Sequence, residues 1–208
     1  MSQYKYNYND KKEAPLLKVD PYKLGMLLLL VGLAVLFIAF TLAYIYTRVQ
    51  MGTGGVYMPP IFWLNTILLV GSSYTINKAN KAHEADDTVK YQRSLWSTLL
   101  LTILFLVAQI IAWTSYRDVL LGENIGIGKQ YLYMISAMHF AHVVAGLPFL
   151  VLFIRTARRH MVEPISVLIY FSDPAKRKKL QLLTLYWHFL DGLWIFLVIF
   201  FTLGMLIG

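Results

Sequence analysis

The sequence predicts an all-α membrane protein with five transmembrane helices, on three observations. Hydrophobic residues make up 58% of the 208 residues, whereas charged residues make up only 14%. A water-soluble domain carries about 25% charged residues, so this chain cannot cover a water-facing surface, and a soluble enzyme is excluded. The mean hydropathy is +0.56. Five apolar stretches also approach the length of about 20 residues that a helix needs to cross a bilayer.

The five predicted spans form one transmembrane domain, 21–208, after a polar tail at 1–20. Each span is a continuous apolar run, as expected of a helix that meets lipid or other helices on every side. The second span is the shortest, and it reaches residue 79 only if the polar ends of Asn77 and Lys78 extend toward the interface. The spans lie at about 24–47, 61–79, 95–116, 131–154 and 180–207.

Basic residues are divided unevenly between the two sides of the predicted membrane. With five spans, three segments fall on the same side: the tail, the segment between the second and third spans, and the segment between the fourth and fifth spans. They hold nearly all of the 19 Lys and Arg residues, and only Arg48, Arg117 and Lys129 lie on the other side. Cytoplasmic segments carry the excess of basic residues, so we expect a cytoplasmic N-terminus and an external C-terminus. The formal net charge of +8 then reflects topology, and we expect no nucleic-acid partner.

Two segments outside the spans have features of their own. The tail is rich in Tyr and Lys and has no hydrophobic period, so it predicts a flexible cytoplasmic segment or one that orders on a partner. The stretch Val162–Phe171 is apolar but far too short to cross a bilayer. We expect it to lie along the cytoplasmic face of the membrane; the alternative is a docking strip for another subunit.

No residue pattern indicates catalysis by this chain. The absence of cysteine excludes disulfides, thiolate zinc sites, iron–sulfur clusters and cysteine nucleophiles. No nucleophile–base pair, phosphate-binding loop or carboxylate pair stands out. We therefore assign no catalytic residue and no metal ligand.

The informative polar residues lie inside the predicted spans, because a polar group in the membrane costs free energy unless it is paired. His139 and His142 are three residues apart, and so are His188 and Asp191, so each pair shares one helix face. Asp191 is the sole acidic residue within any span. We predict that it pairs with a histidine and bridges the fourth and fifth spans. The set of candidate interhelical residues is Asn65, Ser72, Ser73, Gln109, His139, His142, His188 and Asp191.

Three functional interpretations of these residues compete with a structural one. The histidines could ligate haem, bind a metal or, together with Asp191, relay protons. The structural interpretation is hydrogen bonding between helices, which is the usual role of polar residues at transmembrane helix contacts. We favour the structural interpretation. Small residues on the first span, Gly25, Gly32, Ala39 and Ala43, indicate in addition a face on which another helix packs closely.

Several segments of the sequence resemble those of a known family. The segment YWHFLDGLWIF at 186–196 resembles the C-terminal signature of subunit III of the haem–copper oxidases, and HFAHVVAG at 139–146 resembles the HxxHVxxG helix of that family. WLNTILLVGSSYTINKA at 63–79 is similar to its NT-x-x-L-x-x-S-S-x-T helix. LGMLLLLVGLAVLF at 24–37 and LVAQIIAW at 106–113 are similar to two further helices of its five-helix members. The resemblance covers all five spans.

The resemblance implies a non-catalytic subunit of a bacterial terminal oxidase in the inner (cytoplasmic) membrane. Such a subunit packs beside subunit I, which carries the haem and copper, in a complex with subunit II that reduces oxygen and pumps protons. It has no cofactor of its own, holds phospholipid in a cleft, and supports assembly and proton uptake. Membership of a larger respiratory supercomplex is left open. The residues that we expect to contact lipid head groups are Arg155, Arg158, Arg159, Lys178, Lys179 and Trp187.

Three departures from the family pattern limit what the resemblance implies. Carboxylates that many members carry are replaced here by Leu33, Ala112 and Gln181, so roles that depend on them are not transferred. Two alternative functions remain: the matching subunit of a quinol oxidase, and a membrane cytochrome b-like electron carrier that uses the histidines. A small transporter would show broken helices and paired repeats, and the sequence has neither.

Overall fold

A computed structural model describes residues 20–52, 54–115, 126–161 and 163–206. The predicted tail up to residue 19, Tyr116 at the end of the third span and Ile207 in the fifth lie outside these ranges. The described residues form six α-helices and no strand, so the all-α class is confirmed for them. The helices are α1 Pro21–Met51, α2 Ile61–Glu84, α3 Thr88–Ser115, α4 Ile127–His160, α5 Pro164–Ser172 and α6 Pro174–Leu206.

Four helices, α1, α3, α4 and α6, are long and apolar enough to cross a membrane. The second predicted span corresponds to α2, which has 24 residues but is less apolar because of the polar side chains along it. α2 packs most extensively on α3 and also on α6, so it lies within the bundle. The residues at some helix ends are ones that favour helix initiation. At the start of α1, for example, the Asp20 carboxylate accepts a 3.1 Å hydrogen bond from the backbone N–H of Tyr22, and Pro21 occupies the first turn.

The helices extend beyond the predicted spans at the end of the bundle that carries most of the positive charge. There α1 begins, α2 ends, α3 begins, α4 ends and α6 begins; we call this the basic end. The prediction that residues 176–179 form part of a connecting segment is wrong, because α6 already begins at Pro174. Proline is favoured in the first turn of a helix, where its missing N–H would have no intrahelical partner.

The short apolar stretch at the basic end is also helical. α5 has nine residues and does not cross the bundle, which agrees with the prediction that this stretch is too short to span. Tyr170 and Phe171 are buried against the bundle, whereas Ile165, Leu168 and Ile169 are 74%, 65% and 63% exposed. α5 therefore presents an apolar outer face.

Glycines have different roles on α1 and α4. A Cβ atom added at Gly25 or Gly32 would meet no atom within 4 Å, so the small-residue face of α1 does not pack on the described part of this chain. At Gly146 on α4, a Cβ atom would lie 2.8 Å from Cε1 of Tyr186 and 3.2 Å from Cζ3 of Trp187. Close approach of α4 and α6 therefore requires glycine at this position.

Candidate functional site

The polar side chains of α2 lie near the centre of the bundle and face two neighbouring helices. Asn65 is fully buried, and its Nδ2 donates a 2.7 Å hydrogen bond to Oε1 of Gln109 on α3. The other polar atoms of this pair, Asn65 Oδ1 and Gln109 Nε2, are buried without a partner in the described part of the chain. Two predicted interhelical residues are thus paired with each other, at the cost of two unsatisfied atoms.

Hydroxyl groups continue this contact between α2 and α3. The Ser72 and Thr102 hydroxyls lie 3.3 Å apart, and those of Thr75 and Thr98 lie 2.8 Å apart. Ser72 Oγ also accepts a 3.0 Å hydrogen bond from the indole Nε1 of Trp187 on α6. Ser72 therefore joins three helices.

A second contact, between α2 and α6, contains the acidic residue. Ser73 Oγ lies 2.5 Å from Nδ1 of His188, and Asp191 lies three residues further along α6. Asp191 is only 4% exposed, and its Oδ2 is buried without a hydrogen-bond partner in the described residues. Ser73 and His188 thus join α2 to α6, and the buried carboxyl group of Asp191 shares the α6 face of His188.

The predicted pair between Asp191 and a histidine of the fourth span is not what the structure shows. No hydrogen bond joins Asp191 to a histidine in the described part of the chain, and neither ring nitrogen of His139 has a hydrogen-bond partner there. The histidines of that span are instead held elsewhere: the His139 ring packs against the Trp194 and Phe105 rings, and His142 Nδ1 lies 2.6 Å from the Met138 carbonyl of its own helix.

The two histidines in the middle of α4 point into separate surroundings. The His139 ring is fully buried, with its centroid 5.1 Å from that of Trp194 and 5.9 Å from that of Phe105. The His142 ring lies 5.9 Å from the Phe37 ring of α1, and its Nδ1 is 2.6 Å from the Met138 carbonyl. The imidazoles are therefore not arranged as a facing pair of ligands. Among the described residues, no group of three His, Asp or Glu side chains could hold a metal ion.

At the basic end, His83 is enclosed by aromatic rings from α3 and α5. The centroids of the Tyr91, Tyr170 and Phe171 rings lie 5.5, 6.1 and 5.1 Å from that of His83. His83 Nε2 is buried and has no hydrogen-bond partner in the described residues. Burial, and secondarily the positive charge of Arg177, lower the pKa of His83 below 6.5. The pKa of Tyr170 is raised, mainly by burial.

Basic side chains surround two open pockets at the same end. The larger, of about 730 Å³, lies between the starts of α1 and α6 and is lined by Lys23, Lys178 and Lys179 among others. The smaller, of about 400 Å³, lies between α2 and α3 and is lined by Lys78, Lys90 and Arg93 among others. Part of the charge is neutralised, because Lys178 pairs with Asp20, Lys90 with Asp87 and Arg177 with Glu84.

The residues predicted to contact lipid head groups are only partly at the surface. Arg155, Arg158 and Arg159 are exposed, and the Arg158 guanidinium lies 5.4 Å above the Trp96 ring. Trp187, in contrast, is 2% exposed, and its N–H is already used by Ser72. The assignment of Trp187 as a head-group contact is therefore wrong, because its side chain points into the bundle.

The three positions that lack family carboxylates have different surroundings. Leu33 and Ala112 are buried at 8% and 1% exposure, where an unpaired carboxylate would be costly. Gln181 is exposed and lines the larger basic pocket.

Several polar residues of these contacts were missed in the sequence. Asn80 Nδ2 donates to the Thr184 hydroxyl over 2.6 Å, and the Trp194 indole donates to the Thr66 hydroxyl over 3.1 Å. Thr98 and Thr102 are four residues apart on one face of α3, a spacing that could have identified them. No spacing in the sequence predicts the ring contacts of His83, because they depend on how α5 packs against the ends of α2 and α3.

The fold and the site define a helical membrane protein whose polar side chains mainly join its own helices. A family model, Cytochrome c oxidase subunit III, matches residues 16–204. The chain therefore belongs to the cytochrome c oxidase subunit III family.

Curated relatives agree with this assignment. The chain is 28% identical to a cytochrome c oxidase subunit 3 of Pylaiella littoralis over 84% of its length, and 30% identical to one of Corynebacterium diphtheriae over 65% of its length. A cytochrome c oxidase subunit 3 of Synechocystis sp. is 26% identical over 84% of the chain. The matches span 64%, 62% and 72% of these three relatives.

Proposed function

We propose that this chain is a non-catalytic subunit of a bacterial haem–copper terminal oxidase in the inner membrane. In this role it supports the assembly and the proton uptake of an oxygen-reducing, proton-pumping subunit I, in a complex that also contains subunit II. Haem and copper belong to subunit I. The observation that carries the proposal is the family match over residues 16–204, which includes part or all of every helix that the structure describes.

The geometry of the polar residues supports a scaffolding role. Asn65 pairs with Gln109, and Ser72 with Trp187 and Thr102. These groups join helices to one another instead of converging on an open cavity. Their positions favour interhelical bonding over the electron-carrier interpretation, since His139, His142 and His188 lie in separate surroundings.

The proposed topology has five membrane spans, with α2 as the second. α2 lies between α3 and α6, both of which are long enough and apolar enough to span, and its polar residues face these two neighbours. The basic end would lie in the cytoplasm, following the distribution of Lys and Arg. Cysteines introduced into the cysteine-free chain at the exposed positions Lys81 and Tyr57 would test this. The first should react with a membrane-impermeant maleimide only from the cytoplasmic side and the second only from outside.

Phospholipid is the proposed ligand of the basic end. Exposed Arg155 and Arg159, together with Lys178 and Lys179 at the larger pocket, lie where head groups of an anionic leaflet would meet the protein. Cationic side chains near such a surface each contribute about 1 kcal/mol of attraction. Lipids retained on purification, measured by mass spectrometry, should decrease when these four residues are neutralised together.

The decisive experiment is purification in mild detergent through an affinity tag on this chain. We expect a polypeptide that carries haem and copper to copurify, with an absorption spectrum that is lost when the partner is stripped away. The electron donor of that complex, cytochrome c or quinol, would separate the two kinds of oxidase. A Soret band that stays with the isolated chain would instead show that this chain itself binds haem.

A further inference from the structure

We propose that the smaller basic pocket, between α2 and α3, binds a phosphate group, and that an anionic phospholipid of the leaflet at the basic end supplies it. The inference rests on the proposed function in one respect, since it requires a chain that spans the membrane. It concerns a site separate from the surface formed by Arg155, Arg159, Lys178 and Lys179. It follows from the charge, the hydroxyl groups and the position of the pocket.

The charge of the pocket is positive and only partly compensated. Lys78, Lys90 and Arg93 line it, and none of its lining residues is acidic. Lys90 pairs with Asp87 at 2.9 Å, but neither Lys78 nor Arg93 forms an ion pair within the described residues. In the larger basic pocket, by contrast, two of the cations already have carboxylate partners. The smaller pocket therefore offers an anion two cationic side chains that no carboxylate of the described residues holds.

A buried hydroxyl group opens into the same pocket. Ser97, Thr98 and Thr102 of α3 each donate to the backbone carbonyl four residues earlier, as hydroxyl groups inside helices often do. Ser94 also lines the pocket and is only 4% exposed, yet its hydroxyl makes no hydrogen bond with the described part of the chain. This hydroxyl is not among the polar atoms that are enclosed without a partner, so it faces the pocket with its donor unused. Phosphate oxygens are strong acceptors for such a donor.

The position of the pocket is that of a lipid head group. The pocket lies at the basic end, near the end of α2 and the start of α3. Tyr74, which lines it, is exposed, and tyrosine is enriched at the depth of lipid head groups. One or two turns further into the membrane on the same helix faces, Val70 and Ile67 of α2 and Leu100 and Leu104 of α3 are exposed. A phospholipid would use both the pocket and these apolar faces, whereas free phosphate would use the pocket alone.

Lipid binding by the purified full chain tests the role of the two free cations. Native mass spectrometry in mild detergent would measure the affinity for added phosphatidylglycerol. Lys78→Gln with Arg93→Gln should bind this lipid about 5- to 30-fold more weakly, since two cations that attract the phosphate are lost. Lys81→Gln with Lys129→Gln is the control, because it removes the same charge from exposed positions outside the pocket. Equal affinities of the two double variants would overturn the site.

A serine variant tests the hydrogen bond without any change of charge. Ser94→Ala should bind phosphatidylglycerol about 2- to 10-fold more weakly, as expected for one lost hydrogen bond. Ser97→Ala is the matched control in the same pocket, because the Ser97 hydroxyl already donates to the Arg93 carbonyl over 2.9 Å. Its affinity should stay close to that of the wild type. An equal effect of the two serine variants would contradict the role of Ser94.

Two further measurements identify the source of the anion. The lipid-stripped chain should bind phosphatidylglycerol more tightly than phosphatidylcholine, whose choline cation offsets the phosphate charge. It should bind inorganic phosphate far more weakly than either lipid. Tight binding of inorganic phosphate, or equal binding of the two lipids, would overturn the assignment to an anionic lipid. A carbodiimide cross-link from Lys78 to an acidic residue of another polypeptide in native membranes would also overturn it, because a carboxylate would then fill the pocket.

The inference and the proposed function can fail separately. If a haem-bearing polypeptide copurifies with the chain while the pocket variants bind lipid as the wild type does, the pocket is wrong and the proposed function stands. If no such polypeptide copurifies but Lys78→Gln with Arg93→Gln loses the lipid, the lipid site stands and the proposed oxidase function fails.

Discussion

Asn65 of α2 and Gln109 of α3 are joined by a 2.7 Å hydrogen bond in the interior of the bundle. Each residue also has one buried polar atom without a partner in the described part of the chain. The pair therefore holds two helices together. Its contribution to stability is reduced, because the two remaining polar atoms are buried away from water without a hydrogen bond in return.

Removing one member of this pair should be more harmful than removing both. We expect Asn65→Leu alone to lower the free energy of unfolding by about 1–3 kcal/mol, because Gln109 is then buried with no partner. The double variant Asn65→Leu with Gln109→Met should recover part of this loss, since apolar groups of similar size replace both. Unfolding of the purified chain by SDS in mixed micelles would measure the difference. A double variant that loses the sum of both single losses would refute this view of the pair.

Gly146 should tolerate substitution far less well than the glycines of α1. In Gly146→Ala the new methyl group meets the Tyr186 and Trp187 rings. These rings cannot move freely, because the Tyr186 hydroxyl bonds to the His142 carbonyl over 2.8 Å and the Trp187 indole bonds to Ser72. We expect a loss of about 1–3 kcal/mol, which is typical of overpacking.

Gly32→Ala is the matched control, since nothing lies within 4 Å of its added methyl group. Alanine is favoured over glycine inside a helix by about 1 kcal/mol, so this variant should be neutral or slightly stabilising in the isolated chain. Thermal unfolding of the two variants in one detergent would compare them directly. Equal destabilisation at both positions would show that the contact with Tyr186 does not limit packing.

The helices could be predicted from the sequence, whereas the partners of the polar residues could not. Long apolar runs predicted α1, α3, α4 and α6, because a helix surrounded by lipid and other helices needs apolar side chains on all its faces. Helix ends were less accurate: α3 begins at Thr88 instead of about 95, since polar first turns have no hydrophobic signal. The family resemblance correctly indicated subunit III.

Asp191 shows why the partners could not be predicted. Helical spacing places it on one face with His188, and that part of the prediction needs only the sequence. Which neighbouring side chains meet that face depends on the packing of the whole bundle, and His188 meets Ser73 of α2 there. The prediction that Trp187 contacts lipid head groups failed for the same reason. A tryptophan near the end of a span can point either toward the membrane surface or into the bundle, and the sequence does not distinguish the two.

The basic end should lose stability in acid because of His83. Burial and the nearby Arg177 lower the pKa of His83 below 6.5, so the unfolded chain binds a proton more readily than the folded chain. Stability from this group is therefore complete above about pH 6.5 and decreases as the pH falls below that value. Asp86 and Glu84 act in the opposite direction, but burial dominates.

His83→Phe should reduce this pH dependence, since the aromatic enclosure by Tyr91, Tyr170 and Phe171 accepts another ring. The measurement is the midpoint of thermal unfolding between pH 7.5 and pH 5.5. His160→Phe serves as the control, because the His160 side chain is exposed. An identical acid shift in wild type and His83→Phe would exclude His83 as the cause.

Asp191→Ala should loosen the assembly of the proposed complex more than it slows the turnover of intact complex. Without the carboxyl group, α6 loses a buried polar group on the face of His188, whose Nδ1 contacts Ser73 of α2, so the packing of α2 on α6 should loosen. The measurement is the fraction of haem-bearing partner that copurifies with the variant, together with oxygen consumption per haem in the complex that survives. Asp191→Asn keeps the size of the side chain and one of its oxygens, and it should retain more partner than Asp191→Ala. Unchanged assembly with collapsed proton pumping would assign Asp191 a direct role in proton transfer and refute the structural role argued for it.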